Sequence, residues 1–315
     1  MQKSEPKAVI EEVEPGTDKL PSTRDGQVKL LAVLAAVLCI CFARPLYDLM
    51  RFALTSELFS HILLIPFICG YLVLFKRPEL RTGTSPDRRR AWLLAIAGVA
   101  VLAGFWLRFP LGAANSGSAF PAYLTCTSLS FVLLLIAICC FCLNRQVVNQ
   151  LAFPMAFLMF MVPLPVWLTA FIETFLQYGS ALSAQVLFGL TGMPVVREGL
   201  KFQLPGIRLE VAPECSGIHS TLVLFITSLL AGELFLRTPW KRAAICLLVV
   251  PLGIFRNALR ICTIGQLCVH IGPHMIDSPI HRHGGPLFFL ASLIPLFAFL
   301  WLLRRSEQAA SHVPH

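Results

Sequence analysis

The sequence predicts an all-α polytopic membrane protein with about eight transmembrane helices and a small extracytoplasmic segment, an amphipathic helix plus a hairpin, before the sixth span. Three observations carry this reading. Hydrophobic residues make up 56% of the 315-residue chain and charged residues 14%, where soluble domains carry about 25% charged residues. Mean hydropathy is +0.73. The apolar residues gather in runs near 30–43, 58–75, 91–110, 121–143, 151–172, 217–236, 243–269 and 285–303. Most of these runs are close to the roughly 20 residues a helix needs to cross hydrocarbon.

Residues 1–28 are polar, mix Lys with Glu and Asp, and contain Pro6, Pro15 and Pro21. They are expected to form a disordered cytoplasmic tail and not a signal peptide, because the first apolar run starts late. A transmembrane domain is expected over 29–305 and a short cytoplasmic tail over 306–315. The first run is short. The run over 151–172 is interrupted by Pro154, Pro163 and Pro165, which predicts a kinked or partly re-entrant segment. Residues 174–190 suit an amphipathic helix lying along the membrane surface. Val195 to Val211 alternates apolar and polar residues around Pro205-Gly206, the pattern of a hairpin. That hairpin leads directly to Cys215.

Basic residues set the orientation. Lys76, Arg77, Arg81, Arg88, Arg89, Arg90, Arg145, Arg237, Lys241, Arg242, Arg304 and Arg305 all fall on one side if the helices alternate, and an excess of Lys and Arg marks the cytoplasmic side. Both termini then lie in the cytoplasm. The 44–57, 111–120, 173–215 and 270–284 segments lie outside. The net charge of +9 sits in these short loops, so it reports orientation and argues against a nucleic-acid partner. The lipid bilayer is the implied partner.

The chain has 11 cysteines. Cys39, Cys41, Cys69, Cys139, Cys140, Cys142, Cys246 and Cys262 fall in apolar runs without CxxC spacing, so they read as buried filler. Cys215 differs. It stands in Val211-Ala212-Pro213-Glu214-Cys215-Ser216-Gly217-Ile218-His219-Ser220, where a polar segment meets the apolar run from Thr221 to Leu236. Water within reach and a helix N-terminus beneath a cysteine both favour the thiolate. Ser216 and Gly217 leave room for a substrate carbonyl, and the first N–H groups of the helix are donors for a developing oxyanion. The plain alternative is a structural cysteine at the interface.

Arg260 lies nine residues, or roughly 13 Å along a helix, below the outer end of the seventh run. Arg256 lies one turn deeper on the same face, and Asn257 sits three residues before Arg260. Ionisable groups at such depth usually face a polar cavity with a function; the alternative is a structural partner for a buried carboxylate such as Glu214 or Glu233. His270, His274, Asp277, His281 and His283 form a histidine-rich outer loop. Their spacing is irregular, with no HExxH helix or CxxC pair. One histidine acting as acid/base beside Cys215 is therefore preferred over a metal site, and no cofactor is expected. His61, in Ser60-His61, reads on its own as a structural histidine.

Taken together, these segments resemble the exosortase/archaeosortase family of membrane cysteine transpeptidases. The resemblance covers about residues 44–303. It rests on Ser60-His61, Val162-Pro163-Leu164-Pro165, Arg197-Glu198-Gly199, Cys215-Ser216-Gly217, Asn257-Ala258-Leu259-Arg260 and a His-x-x-x-Gly element followed by Phe. The family's nucleophile falls on Cys215, its arginine on Arg260 and its histidine on His281, because His281 to Phe289 fits His-x-x-x-Gly-x-x-x-Phe. His283 is the runner-up. His219 stands where the family often has a basic residue, so it competes for the role of base.

The resemblance implies a thiol protease or transpeptidase of the bacterial inner membrane with its site on the periplasmic face. Its substrates would be exported proteins ending in a sorting signal of the PEP-CTERM type: a short motif, a transmembrane helix and a basic tail. A thioester on Cys215 would pass to an acceptor, whether water, a lipid or a glycan. Two other classes remain open from the residues alone. One is a transporter or scaffold with an outer-face polar cluster; the other is a metal-dependent hydrolase using the loop histidines.

Overall fold

The structure, a computed structural model, describes residues 22–76, 86–109, 117, 119–211, 216–277 and 285–311. Eleven helices appear among the described residues: α1 (Ser22–Cys41), α2 (Ala43–Thr55), α3 (Ile65–Lys76), α4 (Arg88–Arg108), α5 (Phe120–Cys142), α6 (Arg145–Gln150), α7 (Ala152–Phe157), α8 (Val166–Leu190), α9 (Ile218–Phe235), α10 (Pro239–His270) and α11 (Gly285–Ser311). Short 3₁₀ turns at Ser60–Leu63, Leu158–Met161 and Pro273–Asp277 complete the helical part.

All the expected apolar runs are helical, but fewer cross as single helices than the sequence suggested. Among the described residues five are long and apolar enough to span, or seven if each of two bent pairs counts as one span. The segment Ser60–Lys76 is a shorter apolar helix, so among the described residues length and composition give five to seven spans, against the eight expected with seven or nine allowed. The first bent pair turns by 71° between α1 and α2, and the second by 91° between Ala152–Met161 and Val166–Leu190. The second break falls at Val162-Pro163-Leu164-Pro165, where two prolines cannot continue a helix. Pro165 instead starts α8, its carbonyl accepting from the N–H groups of Leu168 and Thr169 at 3.0 Å each.

Several boundaries therefore move. The 44–57 segment, expected as a loop, is mostly α2, which buries Leu49 and Ala53. Residues 174–190 are no separate surface helix but the continuation of α8. α1 begins at Ser22, inside the expected N-terminal tail, and α11 runs to Ser311 through the expected C-terminal one. In both cases polar flanks extend a helix that an apolar run has nucleated.

The hairpin is larger than predicted. It is a three-stranded antiparallel meander, β1 (Val196–Glu198), β2 (Lys201–Leu204) and β3 (Ile207–Glu210). Phe202 pairs with Arg197 on one side and Leu209 on the other. β1 was missed because its three residues are too few to show alternation. Arg197 fastens it to α8, its Nε donating to Gln185 Oε1 at 2.7 Å. The buried face of the sheet, Phe202, Leu204 and Leu209, packs with Phe188 of α8 and Ala258, Ile261 and Cys262 of α10.

Small residues let α8, α9 and α10 approach closely, as expected for helices that gain little from apolar burial in lipid. A Cβ on Gly253 of α10 would lie 2.6 Å from Thr221 Oγ1 of α9, and one on Gly265 would lie 2.6 Å from the Phe188 ring. α11 closes the other side of α9 and α10 through Leu224, Ile245 and Leu296, all fully buried. The N-terminal helices enclose their own core around Phe59, Ile62, Phe131 and Phe157, to which α9 adds Ile226.

Ion pairs collect at one end of the bundle. Lys76 Nζ lies 2.7 Å from Glu233 Oε1, and Arg242 pairs with the other oxygen of the same carboxylate. Arg90 and Arg145 both meet Asp87, at 3.1 and 3.8 Å. The start of α10 is capped from α11, where Glu307 accepts the N–H groups of Arg237 at 3.0 Å and Thr238 at 2.9 Å. Glu233 is thus matched by Lys76 and Arg242 and is no partner for Arg256 or Arg260.

Candidate active site

Cys215, Glu214, His281 and His283 lie outside the described residues. The chain on both sides of Cys215 is described, and both sides are pinned. Upstream, the Val211 N–H donates to the Leu200 carbonyl at 3.0 Å, and the Val211 carbonyl accepts from Gln177 Nε2 of α8 at 3.3 Å. Gln177 is itself buried. Downstream, Ser216 is buried and its hydroxyl accepts the Ile218 N–H at 3.4 Å.

Gly217 caps α9 with φ +72°, a left-handed conformation that L side chains adopt only at a cost. A Cβ there would also lie 2.9 Å from Arg256 Nη2. Both constraints select glycine. Its carbonyl is a focus of donors: Thr221 N–H at 3.0 Å, Thr221 Oγ1 at 2.8 Å, Ser220 Oγ at 3.2 Å and Arg256 Nη2 at 3.2 Å. Arg256 also reaches Thr221 Oγ1 at 3.4 Å. Its Nη1 is buried and has no hydrogen-bond partner among the described residues.

Asn257 is buried beside Arg256 on α10, with its side-chain amide near Gly217. Arg260 is half-buried one turn further along and lines a small cleft with Asn257, Leu209, Glu210 and Val211. The two ends of the Cys215 segment thus meet the same stripe of α10. Val211 lines a cleft with Asn257 and Arg260, and Gly217 lies against Arg256 and Asn257. The sequence singled out Arg256, Asn257, Arg260, Ser216 and Gly217, and the fold gathers all five.

His219 is half-buried in the first turn of α9. His61 is half-buried in the Ser60–Leu63 turn, its Nδ1 3.1 Å from the Leu58 carbonyl. A carbonyl can only accept, so Nδ1 carries the proton. The structure thus gives His61 a local backbone partner, as its own sequence context suggested. His270, exposed at the end of α10, bonds to Gln266 Oε1 at 3.0 Å, and His274 is exposed in the 3₁₀ turn. Among the described residues no three His, Cys, Asp or Glu side chains are grouped to hold a metal ion.

Sequence reasoning missed Gln177 and Thr221. Gln177 carries a signal in retrospect: an amide inside an apolar stretch must find a partner, and here that partner is the backbone leading into Cys215.

The transmembrane exosortase (Exosortase_EpsH) family model matches residues 53–298. Neither a curated protein nor a solved structure matches the chain. The matched region runs from the end of α2 into α11, so it contains every element that builds the cluster on α10 and the segment that carries Cys215. With most of the chain inside that match, the protein is a member of the transmembrane exosortase family.

Proposed function

We propose that this protein is a membrane-embedded cysteine transpeptidase or protease that cleaves the C-terminal sorting signal of exported proteins at the outer face of a bacterial inner membrane. The observation that carries this reading is the double anchoring of the Cys215 segment. Val211 lines a cleft with Asn257 and Arg260, Gly217 lies against Arg256 and Asn257, and residue 215 is one peptide link, about 3.8 Å between Cα atoms, from buried Ser216. Arg256 at the Gly217 carbonyl and the first N–H groups of α9 make the flank of this segment electropositive, a setting that favours an ionised thiol.

The Cys215 thiolate attacks the scissile carbonyl. Arg260 stabilises the oxyanion, and His281 gives a proton to the leaving amine as the thioester forms. The released fragment is the substrate's own transmembrane helix, which leaves sideways into the bilayer. An acceptor amine or hydroxyl, on a lipid or glycan, or water then attacks the thioester, giving its proton to His281. Asn257 and Arg256 hold the start of α9 in register, and Ser216 and Gly217 keep the approach to the thiol narrow but open. No cofactor enters any step.

The test is processing of a reporter that ends in motif, transmembrane helix and basic cluster, followed by a mobility shift. Cys215→Ala should insert in the membrane at normal levels and abolish the shift. Normal processing by that variant would end the proposal.

A further inference from the structure

The β-sheet ends on an edge that no described residue covers. β3 pairs with β2 on one side only, because the strand order is β1-β2-β3. Its register fixes where the main-chain groups point. Val211 donates to the Leu200 carbonyl, so Leu200 and Val211 stand at a hydrogen-bonded position of the ladder. Such positions alternate in an antiparallel pair, which makes Phe202–Leu209 and Leu204–Ile207 hydrogen-bonded as well. Arg208 and Glu210 fall between them. Their N–H and C=O groups point away from β2, both residues are exposed, and no described residue bonds to those groups.

The opposite edge offers less. By the same alternation only Arg197 of β1 turns its main chain outward, and its side chain is committed to Gln185 and the Gly199 carbonyl. The surroundings of β3 are also more specific. A cleft opens between the end of the strand and Asn257, Arg260, Ile261 and Ile264 of α10, which share one helix face. Its volume is about 20 Å³, the room that one water needs. Buried Ile261 and Ile264 give it an apolar part, and Asn257 and Arg260 a polar one.

We infer that the outer edge of β3 is a strand-addition site. The stretch of substrate that precedes its own transmembrane helix lies along Ile207–Glu210 in extended form and exchanges main-chain hydrogen bonds with Arg208 and Glu210. Alternate side chains of that stretch fall on the same face of the sheet as Leu209, toward α10, where the small cleft admits a residue of glycine, alanine or serine size. The main-chain bonds hold any extended peptide, and the cleft selects among them. Four residues span about 14 Å, enough for a short motif and far less than an interface between two copies needs. The inference deepens the transpeptidase reading and rests on it for the occupant, whereas the edge itself is defined by β3 and α10 alone.

Proline tests the edge because it removes an N–H. At positions 208 and 210 that N–H faces outward, so the β2–β3 ladder keeps its bonds. Arg208→Pro and Glu210→Pro are made separately in the full-length protein and reconstituted in liposomes with the sorting-signal reporter. Each should raise the reporter density for half-maximal processing by about fivefold or more, the loss of one main-chain hydrogen bond, while the maximal rate changes less. Arg208→Ala and Glu210→Ala keep the N–H and should cost much less than proline at the same position. A second measurement needs no turnover. In the Cys215→Ala background, a diazirine amino acid is placed at successive reporter positions ahead of its helix, and photolinks are mapped by mass spectrometry. Links to Ile261 and Ile264 should appear at every second position.

An unchanged half-maximal density in both proline variants would overturn the strand addition, as would alanine losses as large as the proline ones. Photolinks without a two-residue period, or links joining β3 of two copies instead of the reporter, would do the same. If the proline variants fail to insert, the photolinks decide alone. Alternating links beside a Cys215→Ala variant that still processes the reporter would uphold the edge and refute the transpeptidase. Absent alternation beside a Cys215→Ala variant that has lost processing would do the reverse.

Discussion

Glu233 and Arg256 are both charged groups among helices, and the protein treats them in opposite ways. Glu233 is held between Lys76 and Arg242, so a carboxylate that joins α3, α9 and α10 is matched on both oxygens. Arg256, with 7% of its surface exposed, has no carboxylate within ion-pair distance among the described residues. Its bonds go instead to the neutral carbonyl of Gly217 and the hydroxyl of Thr221. A buried charge is tolerable when paired or fully hydrogen-bonded. The pairing at Glu233 builds a fixed end, and the incomplete satisfaction of Arg256 leaves positive potential beside the segment that carries Cys215. One end spends its charge on architecture; the other keeps it available for an anion.

The contrast breaks most severely at Arg256. Arg256→Met keeps the length of the side chain and removes both the cation and the tie to Gly217. The start of α9 would shift against α10, and misplacement of reacting groups by about 1 Å costs on the order of 10²-fold in rate. Processing of the sorting-signal reporter should fall by that factor while membrane insertion and thermal stability stay near wild type. A loss confined to stability, with full activity in the folded fraction, would make Arg256 another architectural charge like those around Glu233.

Gly217→Ala sharpens the same point with a single methyl group. Left-handed backbone costs an alanine about 1–2 kcal/mol, and the added Cβ would lie 2.9 Å from Arg256 Nη2. The guanidinium must then move away from the Gly217 carbonyl. Activity should drop by about tenfold, since each 1.36 kcal/mol lost from transition-state stabilisation is one decade. Combining it with Arg256→Met should add little, because the two changes disrupt one contact. Additive losses would show that Gly217 acts through backbone conformation alone.

How much of this was legible beforehand follows from what each feature depends on. Helical runs, the break at Pro163 and Pro165 and the turn at Pro205-Gly206 are local, and the sequence shows them directly. The motif residues of α10 are equally visible, because an arginine within an apolar run is conspicuous. What stayed hidden depends on tertiary geometry. The direction taken after the 91° bend decides that α8 runs unbroken to Leu190, and no local pattern fixes that direction. The same holds for Gln177 reaching Val211, a contact between segments far apart in the chain. Glu233 looked like a candidate partner for the α10 arginines because it is an acid in an apolar run; only packing shows that Lys76 and Arg242 reach it first.

The gentlest change falls at the fixed end. Glu233→Gln keeps shape and one acceptor but removes the charge, leaving Lys76 and Arg242 facing each other. Breaking a fully buried pair costs about 3–5 kcal/mol. Here the side chains of Lys76 and Arg242 are 22% and 36% exposed, so water can take up part of both charges and a cost of about 1–2 kcal/mol is expected. The effect should appear as a lower thermal unfolding midpoint in detergent, and high salt should reduce the difference from wild type by weakening the pairs in the latter. Reporter processing by the folded fraction should be unchanged, because Glu233 holds helices together at the end of α9 away from Gly217. A loss of activity without a loss of stability would mean that the ionic end transmits its geometry along α9 and α10 to the cysteine segment, and the division between an architectural end and a chemical end would fail.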